Sequence, residues 1–95
     1  MLYKLTEIIK DRKTNPIEGS YTNHLLAEGE DTILKKVGEE AVEVILAAAS
    51  QGDQRVIEEV SDLMYHLLVL LAARDLSLAD IDNELNDRHS EIQKC

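Results

Sequence analysis

Two pairs of acidic residues, each pair spaced three positions apart, are the part of this sequence best suited to chemistry. Glu40 and Glu43 form the first pair, and Glu59 and Asp62 form the second. Residues three apart on an α-helix lie about 60° apart around its axis, so each pair shares a face. Carboxylates crowded in a medium of low dielectric need a counter-charge, and hard divalent cations such as Mg²⁺, which prefer oxygen ligands, supply it.

The acids fall on two long predicted helices. The first begins at about Asp31 or Thr32 and ends at Ser50, and the second is capped by Asp53 and continues to about Arg74. Both are unusually apolar. Apolar side chains cover about 220° of the first helix, and every residue from 67 to 73 in the second is apolar. We expect such helices to be packed on more than one side, with the second half of the later helix buried all round. This predicts a homodimer or a higher homo-oligomer.

The register of the two helices brings the acidic pairs together. In an antiparallel helix pair, the numbers of residues at one level add to a constant. Glu40 with Asp62 and Glu43 with Glu59 give the same total, so we expect four carboxylates at one height. A single Glu-x-x-Glu on a helix usually marks a solvated face. Two such pairs in register on apolar helices favour a metal site instead.

The glycines, the single proline and the capping residues divide the sequence into four to five predicted helices. We expect a small all-α bundle around a central antiparallel hairpin, in a single domain spanning residues 1–95. A first helix is expected to end before Thr14-Asn15-Pro16, and a short one to run from Ser20, as N-cap, to just before Gly29. Residues 77–80 are typical of a capping box and open one last amphipathic helix. Sustained alternation typical of strands is lacking.

Charge and composition exclude several classes of function. The formal net charge is −9 and the isoelectric point is near 4.6, which argues against binding to nucleic acid or to an anionic membrane. The longest apolar run, 67–73, is far shorter than the roughly 20 residues of a membrane helix. The N-terminus lacks the apolar core of a secretory signal, and Cys95 is the only cysteine. A cytoplasmic protein is expected.

The acidic motifs and their surroundings resemble a known family. The matching stretches are Lys35-Lys36-Val37-Gly38-Glu39-Glu40-Ala41-Val42-Glu43, the run from Glu58 to Val69, and the upstream Gly19-Ser20-Tyr21-Thr22 with Leu25 and Gly29. Together they resemble the phosphoribosyl-ATP pyrophosphohydrolases of histidine biosynthesis, a branch of the MazG-like all-α nucleoside triphosphate pyrophosphohydrolases. The resemblance extends over about residues 2–93.

This resemblance implies a reaction and a set of residues. Phosphoribosyl-ATP and water would give phosphoribosyl-AMP and pyrophosphate, with Mg²⁺ as cofactor. The implied catalytic and metal-binding residues are Glu40, Glu43, Glu59 and Asp62, with Glu39 as a further metal ligand. Ser20, Thr22 and Lys36 would hold phosphates. Tyr21 would contact the substrate, either through its ring or through its hydroxyl.

Three alternatives stay open at this point. One is a MazG-like enzyme that acts on dUTP or dCTP, against which the Ser20-Tyr21-Thr22 segment argues. Another is a non-catalytic helical interaction module, whose acids merely solvate a face. The third is a di-metal bundle, although such bundles use Glu-x-x-His on two helices and only His66 follows an acid here at a comparable spacing. His66 is expected to be a partner of Asp62 or a core residue, and Lys36 to pair with an acid or to hold a phosphate.

Overall fold

A computed structural model describes residues 1–94, and Cys95, the lone thiol noted above, lies outside that range. The elements are α1 (Leu2–Thr14), α2 (Tyr21–Glu28), α3 (Glu30–Ser50), α4 (Asp53–Ala73), α5 (Leu78–Asp87) and α6 (His89–Lys94). No strand occurs in this range. The predicted all-α fold is therefore confirmed, with six helices where four to five were expected.

The central element is the antiparallel hairpin of α3 and α4. Each of these helices has 21 residues, and only Gln51 and Gly52 separate them. Ile33 and Val69, which the predicted register places at one level, are both fully buried members of the same apolar cluster. The predicted cap was wrong, because Asp53 is the first residue of α4 and makes no capping bond. Gly52 occupies the N-cap position with φ 89°, a conformation that side chains disfavour.

Helix α2 begins and ends where the sequence predicted. Ser20 is its N-cap, and the serine Oγ accepts a hydrogen bond from the Asn23 backbone N–H at 3.2 Å. Gly29 follows α2 with φ 101° and precedes α3 directly, which therefore starts at Glu30, slightly before the predicted position. The sharp corner at Gly29 places α2 against α3 and α4, and so close to the hairpin that carries the acids.

The C-terminal region differs from the prediction. The capping box at Ser77 is confirmed, since its backbone N–H donates to Asp80 Oδ2 at 2.8 Å. The single last helix was wrong, because the backbone leaves helical geometry at Arg88 and divides it into α5 and α6. The break follows Asn86 and Asp87, whose side chains compete with the backbone for hydrogen bonds and disfavour helix interiors.

The apolar core lies at the end of the hairpin farther from its turn. Six buried residues contributed by four helices form it, namely Ile9, Leu25, Ile33, Leu68, Val69 and Ala72. Towards the turn, the described residues leave a second group of large apolar side chains exposed, namely Val42, Ile45, Leu46 and Ile57.

The predicted burial all round the second half of α4 is wrong within one chain. Leu67 is 39% exposed, because α1 and α5 cover only part of this helix. Leu67 instead lines an apolar groove between the three helices, together with Leu2, Met64, Leu71, Leu78 and Ile81. Within residues 1–94, no helix has the length and apolar character needed to span a bilayer.

Candidate active site

Three of the predicted acids meet on the facing sides of α3 and α4. One carboxylate oxygen each from Glu40, Glu59 and Asp62 lies within 4.8 Å of the others. Glu59 is only 6% exposed, Glu40 is half-buried and Asp62 is exposed, so the cluster opens to solvent on one side. Three convergent oxygens suit a hard cation that keeps further positions for water or phosphate.

The other two predicted acids lie outside this group. Glu43 is half-buried on α3, and its carboxylate makes no ion pair or hydrogen bond with the residues described. Glu39 is exposed and pairs with Lys36, with Nζ 3.5 Å from the nearer carboxylate oxygen. Lys36 therefore pairs with an acid, which is one of the two roles expected for it.

Crowding of the acids perturbs Glu40. Burial raises the pKa of its carboxyl, and the neighbouring charges of Asp62 and Glu59 raise it further, while His66 acts in the opposite sense. Ionisation of the Glu40 carboxyl is therefore less favourable in this cluster than in water. A cation placed among the three oxygens would remove that penalty, because it favours the ionised form of each acid.

Arg55 is a residue of the site that sequence reasoning missed. Its Nη2 pairs with the Glu59 carboxylate, and its Nη1 lies 2.5 Å from a carboxylate oxygen of Glu58. Glu58 also accepts a hydrogen bond from Gln54 at 3.2 Å. These bonds hold the pKa of the Glu58 carboxyl below its usual value. Arg55 precedes Glu59 by four positions, and this helical spacing was the available signal. The guanidinium gives the acidic cluster a cation from within the chain.

His66 connects the cluster to α2. The imidazole is 6% exposed, with Nδ1 2.7 Å from the Asp62 backbone oxygen and Nε2 3.1 Å from the Tyr21 hydroxyl. It is therefore both buried and bonded to Asp62, through the backbone of that residue.

The predicted substrate segment, Ser20 to Thr22, forms the first turn of α2 and its cap. Thr22 Oγ1 bonds the Tyr65 hydroxyl, and burial raises the pKa of that phenol. The rings of Tyr21 and Tyr65 are stacked, with centroids 6.2 Å apart, yet Tyr21 remains 47% exposed. The segment is thus held against α4 next to the acids and still faces solvent.

A second residue that sequence reasoning missed, Asn23, supports this segment. Its Nδ2 donates to the Arg12 backbone oxygen at 2.6 Å, and its Oδ1 accepts from the Ile17 N–H at 2.9 Å. These bonds fasten the loop before α2 to the end of α1. The loop, Tyr21 and His24 line an open cleft of about 840 Å³. An asparagine three positions after an N-cap serine was the available signal.

The sequence of this chain is similar to those of known proteins along most of its length. Residues 2–89 match the family described as Phosphoribosyl-ATP pyrophosphohydrolase. The chain is 54% identical over 94 residues to Phosphoribosyl-ATP pyrophosphatase of Listeria innocua serovar 6a, covering 99% of this chain and 90% of that protein. It is 51% identical over 92 residues to the protein of that name from Clostridium acetobutylicum, covering 97% and 84%.

A longer relative is also similar. The Histidine biosynthesis bifunctional protein HisIE of Caldanaerobacter subterraneus is 54% identical over 91 residues, or 96% of this chain. The chain spans only 44% of that protein's length, so it corresponds to less than half of a bifunctional relative.

Proposed function

The chain belongs to the phosphoribosyl-ATP pyrophosphohydrolase family, and from this we infer that it hydrolyses phosphoribosyl-ATP to phosphoribosyl-AMP and pyrophosphate in histidine biosynthesis. The match over nearly the whole chain to proteins named for this activity carries the inference. The acidic cluster of Glu40, Glu59 and Asp62 gives the reaction a site, because an anionic triphosphate can approach these acids only with a cation between them.

Mg²⁺ is the cofactor that we propose for this site. The donor set fits it, because three carboxylate oxygens lie within 4.8 Å of one another and Glu59 is too buried to be solvated well. Glu40, Glu59 and Asp62 would hold the ion, with Glu43 and Glu39 as further ligands. When bound, Mg²⁺ would place positive charge beside the phosphate oxygens, offset their negative charge and so stabilise pyrophosphate as a leaving group.

The chain's own acids would also move a proton. Hydrolysis requires a water molecule to lose a proton as it attacks phosphorus, and a carboxylate can accept it. We assign catalytic roles to Glu40, Glu43, Glu59 and Asp62. Glu43 suits the role of proton acceptor, because its half-buried carboxylate stands apart from the cluster and from any ion pair in the described residues.

The start of α2 is suited to hold the substrate's phosphates. Ser20 Oγ already accepts a bond from Asn23, so its own hydroxyl proton is free to donate to a phosphate oxygen. The N-terminus of α2 adds the positive end of a helix dipole. Thr22 and Tyr21 lie on the same turn, and Lys36 would complete the site after releasing Glu39.

A second copy of the chain is the partner that the exposed apolar surface favours. The radius of gyration is 14.9 Å, whereas a compact domain of this length has about 12 Å. In the half of the hairpin near the turn, Ile45, Leu46 and Ile57 lack cover from the described residues. We propose a homodimer or higher homo-oligomer that buries this half, in the cytoplasm, with neither nucleic acid nor membrane as partner.

Release of pyrophosphate, followed by phosphorus NMR, tests this function. The wild-type protein should convert phosphoribosyl-ATP in the presence of Mg²⁺ and not in EDTA, and Asp62→Asn should abolish conversion. The matched control is Asp82→Asn on α5, an exposed aspartate far along the chain from the cluster, which should retain activity. Pyrophosphate release from dUTP or dCTP alone would discard the proposed substrate and keep the site. Inactivity towards every triphosphate would favour a non-catalytic module.

A further inference from the structure

The hydrogen bonds of the aromatic residues near α2 determine which hydroxyl protons the substrate segment can offer. A phosphate oxygen only accepts hydrogen bonds, so a hydroxyl is useful to it only if its proton is uncommitted. Tyr21 and Thr22 both carry hydroxyls, and each of these is bonded to a residue of α4. The direction of each bond therefore decides which of the two can donate to a phosphate.

The Tyr21 hydroxyl is hydrogen-bonded to His66. Nδ1 of His66 lies 2.7 Å from the Asp62 backbone oxygen, which can only accept, so Nδ1 carries the ring proton. With the single ring proton on Nδ1, Nε2 is an acceptor, and in that tautomer the Tyr21 hydroxyl donates to it across 3.1 Å. In that tautomer Tyr21 offers a ligand its half-exposed ring rather than its hydroxyl proton.

The opposite holds for Thr22. A phenol is a much stronger acid than an aliphatic alcohol, with a pKa near 10 in model compounds, and is the better donor of the two. This difference in acidity favours Tyr65 as the donor in its bond to Thr22, so that the phenol fills one acceptor position of Thr22 Oγ1. The hydroxyl proton of Thr22 is left free, and the bond from Tyr65 fixes the position of the oxygen that carries it.

We propose that Tyr65 is a positioning residue that aims the hydroxyl proton of Thr22 at a phosphate of the substrate. The proposal rests on the function inferred above, in which Thr22 belongs to the phosphate-binding segment. In this role Tyr65 acts through Thr22 rather than by contact with the substrate. It lies three positions after Asp62 on α4, so the same helix carries a ligand of the proposed metal and the group that orients a phosphate donor.

Tyr65→Phe removes only the donating hydroxyl and keeps the ring that stacks on Tyr21. Loss of one hydrogen bond of ordinary strength should raise KM for phosphoribosyl-ATP about two- to tenfold, with kcat and the affinity for Mg²⁺ unchanged. The matched control is Tyr3→Phe, an exposed tyrosine of α1 whose hydroxyl has no partner among the described residues. That variant should leave KM at the wild-type value.

Variants of Thr22 separate positioning from packing. Thr22→Ser retains the hydroxyl and should keep KM within about twofold of wild type, whereas Thr22→Val should raise it at least as much as Tyr65→Phe. Adding Tyr65→Phe to Thr22→Val should change KM no further, because Tyr65 acts through the hydroxyl already lost. Additive effects in this double-mutant cycle, or a lower melting temperature with wild-type KM, would overturn the proposal.

A binding measurement without turnover keeps the proposal distinct from the proposed function. Calorimetric titration with inorganic pyrophosphate in the presence of Mg²⁺ should show about two- to tenfold weaker binding by Tyr65→Phe than by wild type. If the wild-type protein releases nothing from phosphoribosyl-ATP and this difference persists, the inferred substrate fails and the positioning role stands. If turnover is normal and both proteins bind pyrophosphate equally with equal KM, the positioning role fails alone.

Discussion

Replacing Glu40 with glutamine should stabilise the metal-free protein and remove its stabilisation by Mg²⁺. The reason is repulsion among three carboxylates whose oxygens lie within 4.8 Å of one another. Two unit charges at this distance repel by about 0.9 kcal/mol in bulk water and about 3.5 kcal/mol at an effective dielectric constant near 20. Glu40 takes part in two of these pairs, one with Glu59 and one with Asp62.

The lower figure is the better guide for this site. Asp62 is exposed, so water screens its charge, and Arg55 already offsets the charge of Glu59. We therefore expect Glu40→Gln to raise the free energy of unfolding of the metal-free protein by about 1 kcal/mol. For a domain of this length, that corresponds to a rise of about 4–8 °C in melting temperature.

Mg²⁺ should reverse the order of the two proteins. A ligand present at 100 times its dissociation constant stabilises the folded state by about 2.7 kcal/mol. Wild type should gain this stability, whereas Glu40→Gln, with two carboxylates left in the cluster, should gain much less. Thermal unfolding in EDTA and at several Mg²⁺ concentrations measures both effects. A melting temperature of Glu40→Gln that is unchanged in EDTA, or equal stabilisation of both proteins by Mg²⁺, would refute the reasoning.

Glu58→Gln is the control with the same change in charge. Its carboxylate is bonded to Arg55 and Gln54, and those bonds lower its pKa, so its removal should not stabilise the metal-free protein. Stabilisation by Mg²⁺ should persist in this variant. An equal rise in melting temperature for Glu58→Gln and Glu40→Gln would show a general effect of net charge, since the chain carries −9.

The dependence on pH has a definite sign. Burial raises the pKa of Glu40, so the folded protein binds its proton more tightly than the unfolded chain does. The resulting contribution to stability is complete below the unfolded pKa, and it is lost as the pH rises through the raised folded pKa. Without metal, the stability gap between Glu40→Gln and wild type should be small near about pH 4 and should widen towards neutrality.

Three further predictions test other parts of the molecule. Arg55→Met should lower the melting temperature of the metal-free protein and tighten Mg²⁺ binding in calorimetry, because Glu59 loses its only cationic partner in the described structure. Ser20→Ala should cost about 1 kcal/mol through the lost cap, whereas Ser20→Asp should keep the cap and raise KM by repelling phosphate; equal melting temperatures and KM for both would contradict these roles. Ile45→Asp should reduce the molar mass measured by light scattering to that of one chain, if the exposed half of the hairpin forms the interface.

The sequence predicted the acidic site to the level that helical geometry determines. Spacing and hairpin register give the face and height of each carboxylate, and Glu40, Glu59 and Asp62 do converge. They do not give side-chain rotamers, which is why Glu43 was grouped with the other three and stands apart from them in the structure. The contact of Glu59 with Arg55 depends on such a rotamer too, and the four-residue spacing permits this contact without determining it.

Helix boundaries could be predicted where one residue type has one conformational use. Ser20 caps α2 through its side-chain oxygen, Ser77 opens α5 in a capping box with Asp80, and Gly29 takes the positive φ that ends α2. Asp53 was a wrong cap because the neighbouring Gly52 can occupy the N-cap position without a side-chain bond. The break at Arg88 lacked a glycine or proline, so only the weak helix preference of the two residues before it was available as a signal.

The predicted burial of the hairpin failed for one chain in a way that is itself informative. An apolar pattern in a sequence indicates which side chains are buried in the functional assembly, whether by the same chain or by another. The exposure of Ile45 and Ile57 in one chain therefore favours a partner that covers them. The acidic cluster lies between the covered and uncovered halves of the hairpin. A second copy on the uncovered half would exclude water from Glu40 and strengthen its need for a cation. Assembly and metal binding should therefore favour each other, and Mg²⁺ should shift the monomer–oligomer equilibrium of this chain towards the oligomer.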